Sequence, residues 1–331
     1  MKIKSLTGVD VFLKMPEPEK FDFKDLMKEY YEYYADKHMD DTAYLNLLDK
    51  LPVMADNDAV EKWFQYKTLD ENLSKGKLFD CDSSNGTCHL SEQIYKVLWG
   101  YGVVEAFHSI SFGGDTMNSF ATILDDFADA HSLRECREKY NSNPNYKKLI
   151  DDIFGSYAAA TGRIGNFVLV PKGYNKSRNN RFKDFWDRSL AFLQSTDNQY
   201  LLEGEFTKYI NYFFLWDYVY LRDEANYGVR SMQSKAFTET RGYSGPSPEL
   251  NSIMPSEDEI PVFLGNAISA INRRGIFMTA MLRLASELPE AYKRLRDKVY
   301  ISAKPYSGYG AVIEAIRDEL GWIPDGLEIL Q

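Results

Sequence analysis

The sequence predicts a mainly α protein with a minor β element of two or three strands. Three observations point there. Apolar residues recur at helical spacing in most of the chain, most plainly over 260–287, where Leu264, Ile268, Ile271, Met278, Leu282 and Ala285 form one stripe. Only two segments, 3–14 and 167–170, have the alternation or β-branched content of strands. The chain is 44% hydrophobic and 15% aromatic, enough to build a core, and Tyr (23) and Phe (20) supply most of the rings. Buried tyrosines bring hydroxyls that need partners, so the core is expected to be wide and not fully dry.

The elements follow in order. In 3–14, Val9, Val11 and Leu13 alternate and predict a short strand, and Pro16 and Pro18 then mark a loop. Asp22 caps a predicted helix through Lys37, with Leu26, Tyr30, Tyr33 and Tyr34 at helical spacing. Further helices are expected over 42–51, stopped by Pro52, and over 58–73. Residues 75–90 read as a loop or hairpin around the tight-turn pair Asn85-Gly86. Ser91 caps the next helix. Gly113-Gly114 breaks the chain, and a helix is expected from Asp115 or Thr116 to about His131.

Pro144 marks a loop ahead of a helix over 147–160. A strand over 167–170 is bounded by Gly165 and Pro171. Helices are expected over 181–194 and 206–221. The second is apolar nearly all round and is therefore expected to be the central buried helix. Residues 222–257, with three glycines and three prolines, read as irregular. The helix over 260–287 follows, then two short ones at about 290–299 and 308–320. The chain thus divides into an acidic N-terminal helical region (1–75), a central domain (76–225), an irregular segment (226–258) and a C-terminal helical region (259–331), or runs as one continuous domain.

The charge excludes some functions. With 39 basic and 49 acidic residues, the net charge of −10 argues against extended nucleic-acid binding, which needs a positive field. The distribution is uneven. Residues 21–71 hold thirteen acids against six lysines. Residues 172–188 hold Lys172, Lys176, Arg178, Arg181, Lys183 and Arg188 against Asp184 and Asp187. No segment reads as a signal peptide or reaches the ~20 apolar residues a bilayer span needs. Three cysteines make no secreted disulfide framework, so a cytoplasmic protein is expected.

Three polar constellations stand out. In Gly113-Gly114-Asp115-Thr116-Met117-Asn118-Ser119, a glycine pair opening a helix can offer backbone N–H groups to an anion; the alternative is an ordinary capped helix. In the stretch from Arg163 through Asn166 and Asn175 to Arg178, glycines permit close approach and the arginines offer planar forks to phosphate or carboxylate; the alternative is a turn-rich, solvated loop. In the third, Asp217 and Arg274 each share a helical face with apolar residues and are expected to be buried. Asp217 would then pair with Arg274, or either with Arg163 or Asp187, as a structural or a catalytic pair.

Cys81, Cys88 and His89 have zinc-like spacing but no second Cys/His pair follows, so no metal site is expected, and no cofactor is assigned. There is no nucleophile elbow, phosphate-binding loop or His-Glu-x-x-His.

These residues also carry a resemblance. The run 157–178, with Ile164-Gly165-Asn166, an apolar strand, Pro171 and Asn175-Lys176-Ser177-Arg178, resembles a recurring element of a bacterial family of domains of unknown function. Gly114-Asp115-Thr116-Met117, Phe185-Trp186-Asp187-Arg188, Tyr209 to Asp217, and Ala270-Ile271-Asn272-Arg273-Arg274-Gly275 resemble further elements of it. The resemblance covers about residues 80–280 and implies a shared fold, not a particular activity. The Ile-Gly-Asn…Pro…Asn stretch is also similar to the later half of HNH-type nuclease domains of phage-defence proteins. There a His-bearing strand comes shortly before; here the nearest preceding histidine is His131.

The expected function is recognition of a phosphate-bearing or other anionic small molecule by a cytoplasmic bacterial or phage protein. Asn118, Arg163, Asn166, Asn175, Arg178 and Arg274 are the candidate ligand-binding residues, and Asp115, Asp187 and Asp217 the candidate catalytic ones. Asp115, Arg163, Arg178 and Asp217 are expected to face one cleft. The alternatives are a phage-defence or anti-defence nuclease relative, and an acidic scaffold binding a protein partner through its N-terminal helices.

Overall fold

A computed structural model describes residues 8–23, 89–100, 106–107, 111–119, 123, 133–175, 185–195, 198–232 and 260–331. The acidic helices expected within 24–73, the hairpin with Cys81 and Cys88, the basic run 176–184 including Arg178, and residues 233–258 of the expected irregular segment lie outside them; the described start of that segment is not irregular but holds a strand, Tyr227–Val229. The described chain is mainly α, with two small antiparallel sheets of two strands each. No described helix is long and apolar enough to cross a membrane.

The first element corrects the sequence reading. Val9–Leu13 is a helix, α1, not a strand. Val9 and Phe12, three apart, are buried while Val11 between them is exposed, which is helical spacing. A 3-10 turn follows at Pro18–Lys20. Helix α2 is His89–Trp99. The second correction concerns Asp115. It opens no helix but lies in strand β1, Phe112–Thr116, which pairs antiparallel with β2, Phe167–Pro171, in the register Asp115 to Val168.

Helix α3, Leu133–Ser142, turns directly into α4, Pro144–Thr161. Pro144 starts α4 instead of marking a loop, because it stands at the first helical position and the Asn143 side chain accepts from the amides of Asn145 and Tyr146. A 3-10 turn, Ile164–Asn166, then leads into β2.

Helix α5, Trp186–Gln194, precedes α6, Glu205–Tyr212. The predicted helix over 206–221 therefore stops after two turns. Past α6 come a 3-10 turn, Trp216–Tyr218, and the hairpin β3 (Val219–Leu221) and β4 (Tyr227–Val229). The whole run from Glu205 to Val219 is buried apart from Lys208. Its apolar pattern reflected depth in the core, not one continuous helix.

Helix α7, Ile260–Glu287, is as long as predicted and is the axis of the molecule. It packs against α2, α4, both early 3-10 turns, and α8, Pro289–Leu295. Leu264, Ile271, Met278 and Leu282 of the predicted stripe are fully buried. The turn at Ile164–Asn166 sits so close that a Cβ on Gly165 would lie 1.8 Å from the Ile271 carbonyl oxygen. Only glycine permits that approach. Helix α8 runs into a π turn, Arg296–Tyr300, and α9, Tyr309–Leu320, closes the fold.

Candidate functional site

Four of the expected site residues are consumed by the architecture. Asn166 Oδ1 accepts from the Asn118 amide (2.9 Å) and side chain (3.1 Å), and Asn166 Nδ2 donates to the carbonyls of Asn118 and Thr161. All four capacities of that side chain are met within the protein. The pair locks the end of β1 to the start of β2.

Arg274 is 1% exposed and meets no carboxylate among the described residues. Its Nε and Nη2 donate to the Phe213 carbonyl at 3.0 and 2.8 Å, and Nη1 to those of Gly165 (2.7 Å) and Phe167 (2.5 Å). Burial draws its pKa down to about 10, which leaves it a cation at neutral pH. Asp187 is equally enclosed. Its carboxylate accepts from the amides of Arg188 and Met232, at 2.9 and 3.0 Å, and ties α5 to the end of the β3–β4 hairpin. Burial pushes its pKa up.

The remaining candidates are spread. Asp115 Oδ1 accepts from the Thr116 amide next to it, and the Asp115 backbone is held in the β1–β2 ladder, so its amide is not offered to a ligand. Asn175 is half-buried just past β2. Arg163 donates to Asn272 Oδ1 at 2.7 Å, with its Nε buried and without a partner among the described residues. Arg163 and Asp217 do not pair. They take neighbouring positions of α7, Asn272 and Arg273.

Asp217 is the exception to this structural accounting. It lies on the 3-10 turn after α6, with its side chain 9% exposed. Its partner is not Arg274, as the sequence suggested, but Arg273, at 3.4 Å from Oδ1. The reason is that α6 ends early: the freed Phe213 carbonyl takes Arg274, and the following turn delivers Asp217 to the next residue of α7. The second oxygen, Oδ2, is buried and has no hydrogen-bond partner among the described residues. Burial raises the carboxyl pKa to about 6, against the opposing pull of Arg273 and Arg230.

The two arginines are the open side of this cluster. Arg273 is 42% exposed, with its guanidinium 5.2 Å from the centre of the Tyr309 ring. Arg230, just past β4, donates from Nε to the Val219 carbonyl at 2.6 Å and is part-buried. Its pKa is lowered by burial, with Asp217 opposing and Arg273 reinforcing. The hydroxyl of Tyr218, the residue after Asp217, is buried beside Asn118 without a well-formed hydrogen bond among the described residues. Burial raises the Tyr218 pKa, with the charge of Arg274 opposing and those of Asp217 and Asp187 reinforcing. Among the described residues, two guanidiniums therefore act on one buried carboxylate, and one of them, Arg273, is 42% exposed.

No protein-family model, curated protein or solved structure matches the chain.

Sequence reasoning missed Arg230, Arg273, Tyr218 and Tyr309. Arg273 stood beside Arg274 in the sequence but one step off the apolar face. Arg230 fell in the segment read as irregular. Nothing local marks either as a neighbour of Asp217. Among the described residues no group of three His, Cys, Asp or Glu side chains could hold a metal. Neither strand of the sheet that contains β2 bears a histidine.

Proposed function

We propose that this protein binds a small phosphate- or carboxylate-bearing ligand on Arg273 and Arg230, at the turn that carries Asp217. The observation that supports the reading is the charge arrangement: the partly exposed Arg273 pairs with one buried carboxylate, the charge of the part-buried Arg230 also bears on it, and a planar guanidinium suits an oxyanion. Asp217 holds Arg273 in place before the ligand arrives.

Calorimetric titration with inorganic phosphate, sulfate and citrate tests the reading, with thermal denaturation alongside. At least one anion should bind saturably and raise the melting midpoint. Arg273→Ala should weaken binding by about tenfold or more, roughly 1.4 kcal/mol, with the circular dichroism spectrum retained. Arg317→Ala, removing a cation of α9 paired with Glu314, should leave affinity unchanged. Equal losses in the two variants, or no saturable binding of any of the three anions, would sink the proposal.

A further inference from the structure

We propose that Arg273 is shared between Asp217 and the ligand, so that anion binding withdraws its charge from Asp217 and the Asp217 carboxyl takes up a proton from solution. This rests on the anion-binding reading above and adds the way the site would respond to pH.

The geometry carries it. Asp217 contributes one oxygen to an ion pair at 3.4 Å and keeps the other buried with no donor. A buried carboxylate is held ionised only by what surrounds it. Among the described residues, α7 brings Arg273 and Arg274, the end of β4 brings Arg230, α9 brings Tyr309, the same turn brings Tyr218, and Asp187 of α5 reaches the region through Tyr218. Most of these cannot support the anion. Arg274 is spent on three carbonyls. Tyr309 and Tyr218 are buried phenols whose pKa values lie above the ordinary one, so they stay neutral. A negative Asp187 would only oppose a second negative charge.

Among the described residues Arg273 and Arg230 are therefore the charges that favour ionised Asp217, and Arg273, its ion-pair partner and 42% exposed, is the one a bound anion would claim. Once Arg273 faces the ligand, desolvation of Asp217 is offset less. The free carboxyl already titrates at about 6, so a modest further rise carries it through neutral pH. By linkage, a site that gains a proton on binding loses affinity as pH rises, by up to about tenfold per unit.

Sulfate is the probe, because it does not titrate near neutrality. Binding to the full chain is measured by calorimetry at pH about 7 in two buffers of different ionisation enthalpy, which reports protons exchanged per sulfate. The expected result is an uptake above about half a proton, with affinity falling several-fold per unit as pH rises from about 6 to the raised pKa of the complex and levelling off above it. Asp217→Asn keeps the shape, removes the titration, and should bind sulfate with uptake near zero. Sulfate binding without proton uptake in the wild-type chain, or equal uptake in Asp217→Asn, overturns this inference and leaves the anion site standing. No sulfate binding at any pH overturns this inference, and the anion site falls with it if phosphate and citrate also fail to bind.

Discussion

Arg274 and Asp217 show two ways of burying a charge. Arg274 replaces water with three backbone carbonyls, and its hydrogen bonds pin α7 to the end of α6 and to the start of β2. Asp217 is left half-satisfied, and that has a consequence for stability. In the unfolded chain this carboxyl titrates near 3.8; in the fold it titrates at about 6. The native state thus keeps its proton over a window in which the unfolded chain has lost it. Asp217 costs nothing below pH 3.8, costs progressively more as pH rises to about 6, and holds that cost above it, at ~3 kcal/mol. Asp217→Asn should therefore be more stable than wild type at about pH 7.5, by ~1–3 kcal/mol, with the difference closing at about pH 4. Urea titrations at the two pH values check this. A variant less stable than wild type at the higher pH would mean that the ion pair with Arg273 outweighs desolvation.

At the scale of elements, the end of α6 decides where Asp217 goes. The amide of Leu215 donates to the Ile210 carbonyl at 2.9 Å and that of Phe214 to the Asn211 carbonyl at 3.4 Å, which is the pairing of a Schellman stop. Its left-handed residue is usually glycine; here it is Phe214, with φ 59°. Packing holds the ring in that conformation. Phe214 is fully buried against Trp99, Trp216, Phe277 and Tyr300. The absence of glycine is why the sequence reads through to 221. Removing the ring should cost ~3–5 kcal/mol in Phe214→Ala. Phe214→Gly should be the milder variant by about 0.5–1 kcal/mol, because glycine accepts the positive φ. That order is the reverse of the one inside a helix. Chemical denaturation of the pair decides it, and an alanine variant more stable than the glycine one would show that the turn relaxes out of the left-handed region.

Across the molecule, one hydrophobic cluster runs from Val9 in α1 to Leu330 near the C-terminus. Trp99, Trp186 and Trp216 report on it from α2, α5 and the turn after α6, and all three are almost fully buried. A shared core predicts a shared transition: tryptophan fluorescence and far-ultraviolet circular dichroism should give superimposable thermal curves. Two separated transitions would instead support a division of the chain at 226–258.

What the sequence determined by itself was mostly local. The stripe of α7 and the strand between Gly165 and Pro171 were legible because their signals, a helical period and flanking breakers, lie within a few residues of one another. The burial of Asp217 and Arg274 was legible too, from the company they keep in the sequence. The tertiary structure alone decided their partners. Phe214 turns the chain where no glycine announces a stop, and that single turn assigns Arg274 to backbone carbonyls and Asp217 to Arg273. Asp115 passed from helix cap to strand for a similar reason, since the pairing that claims its backbone comes from Val168, more than fifty residues away. Local pattern records what each residue prefers to bury. Which charge meets which is set by long-range packing, and no short stretch of sequence contains it.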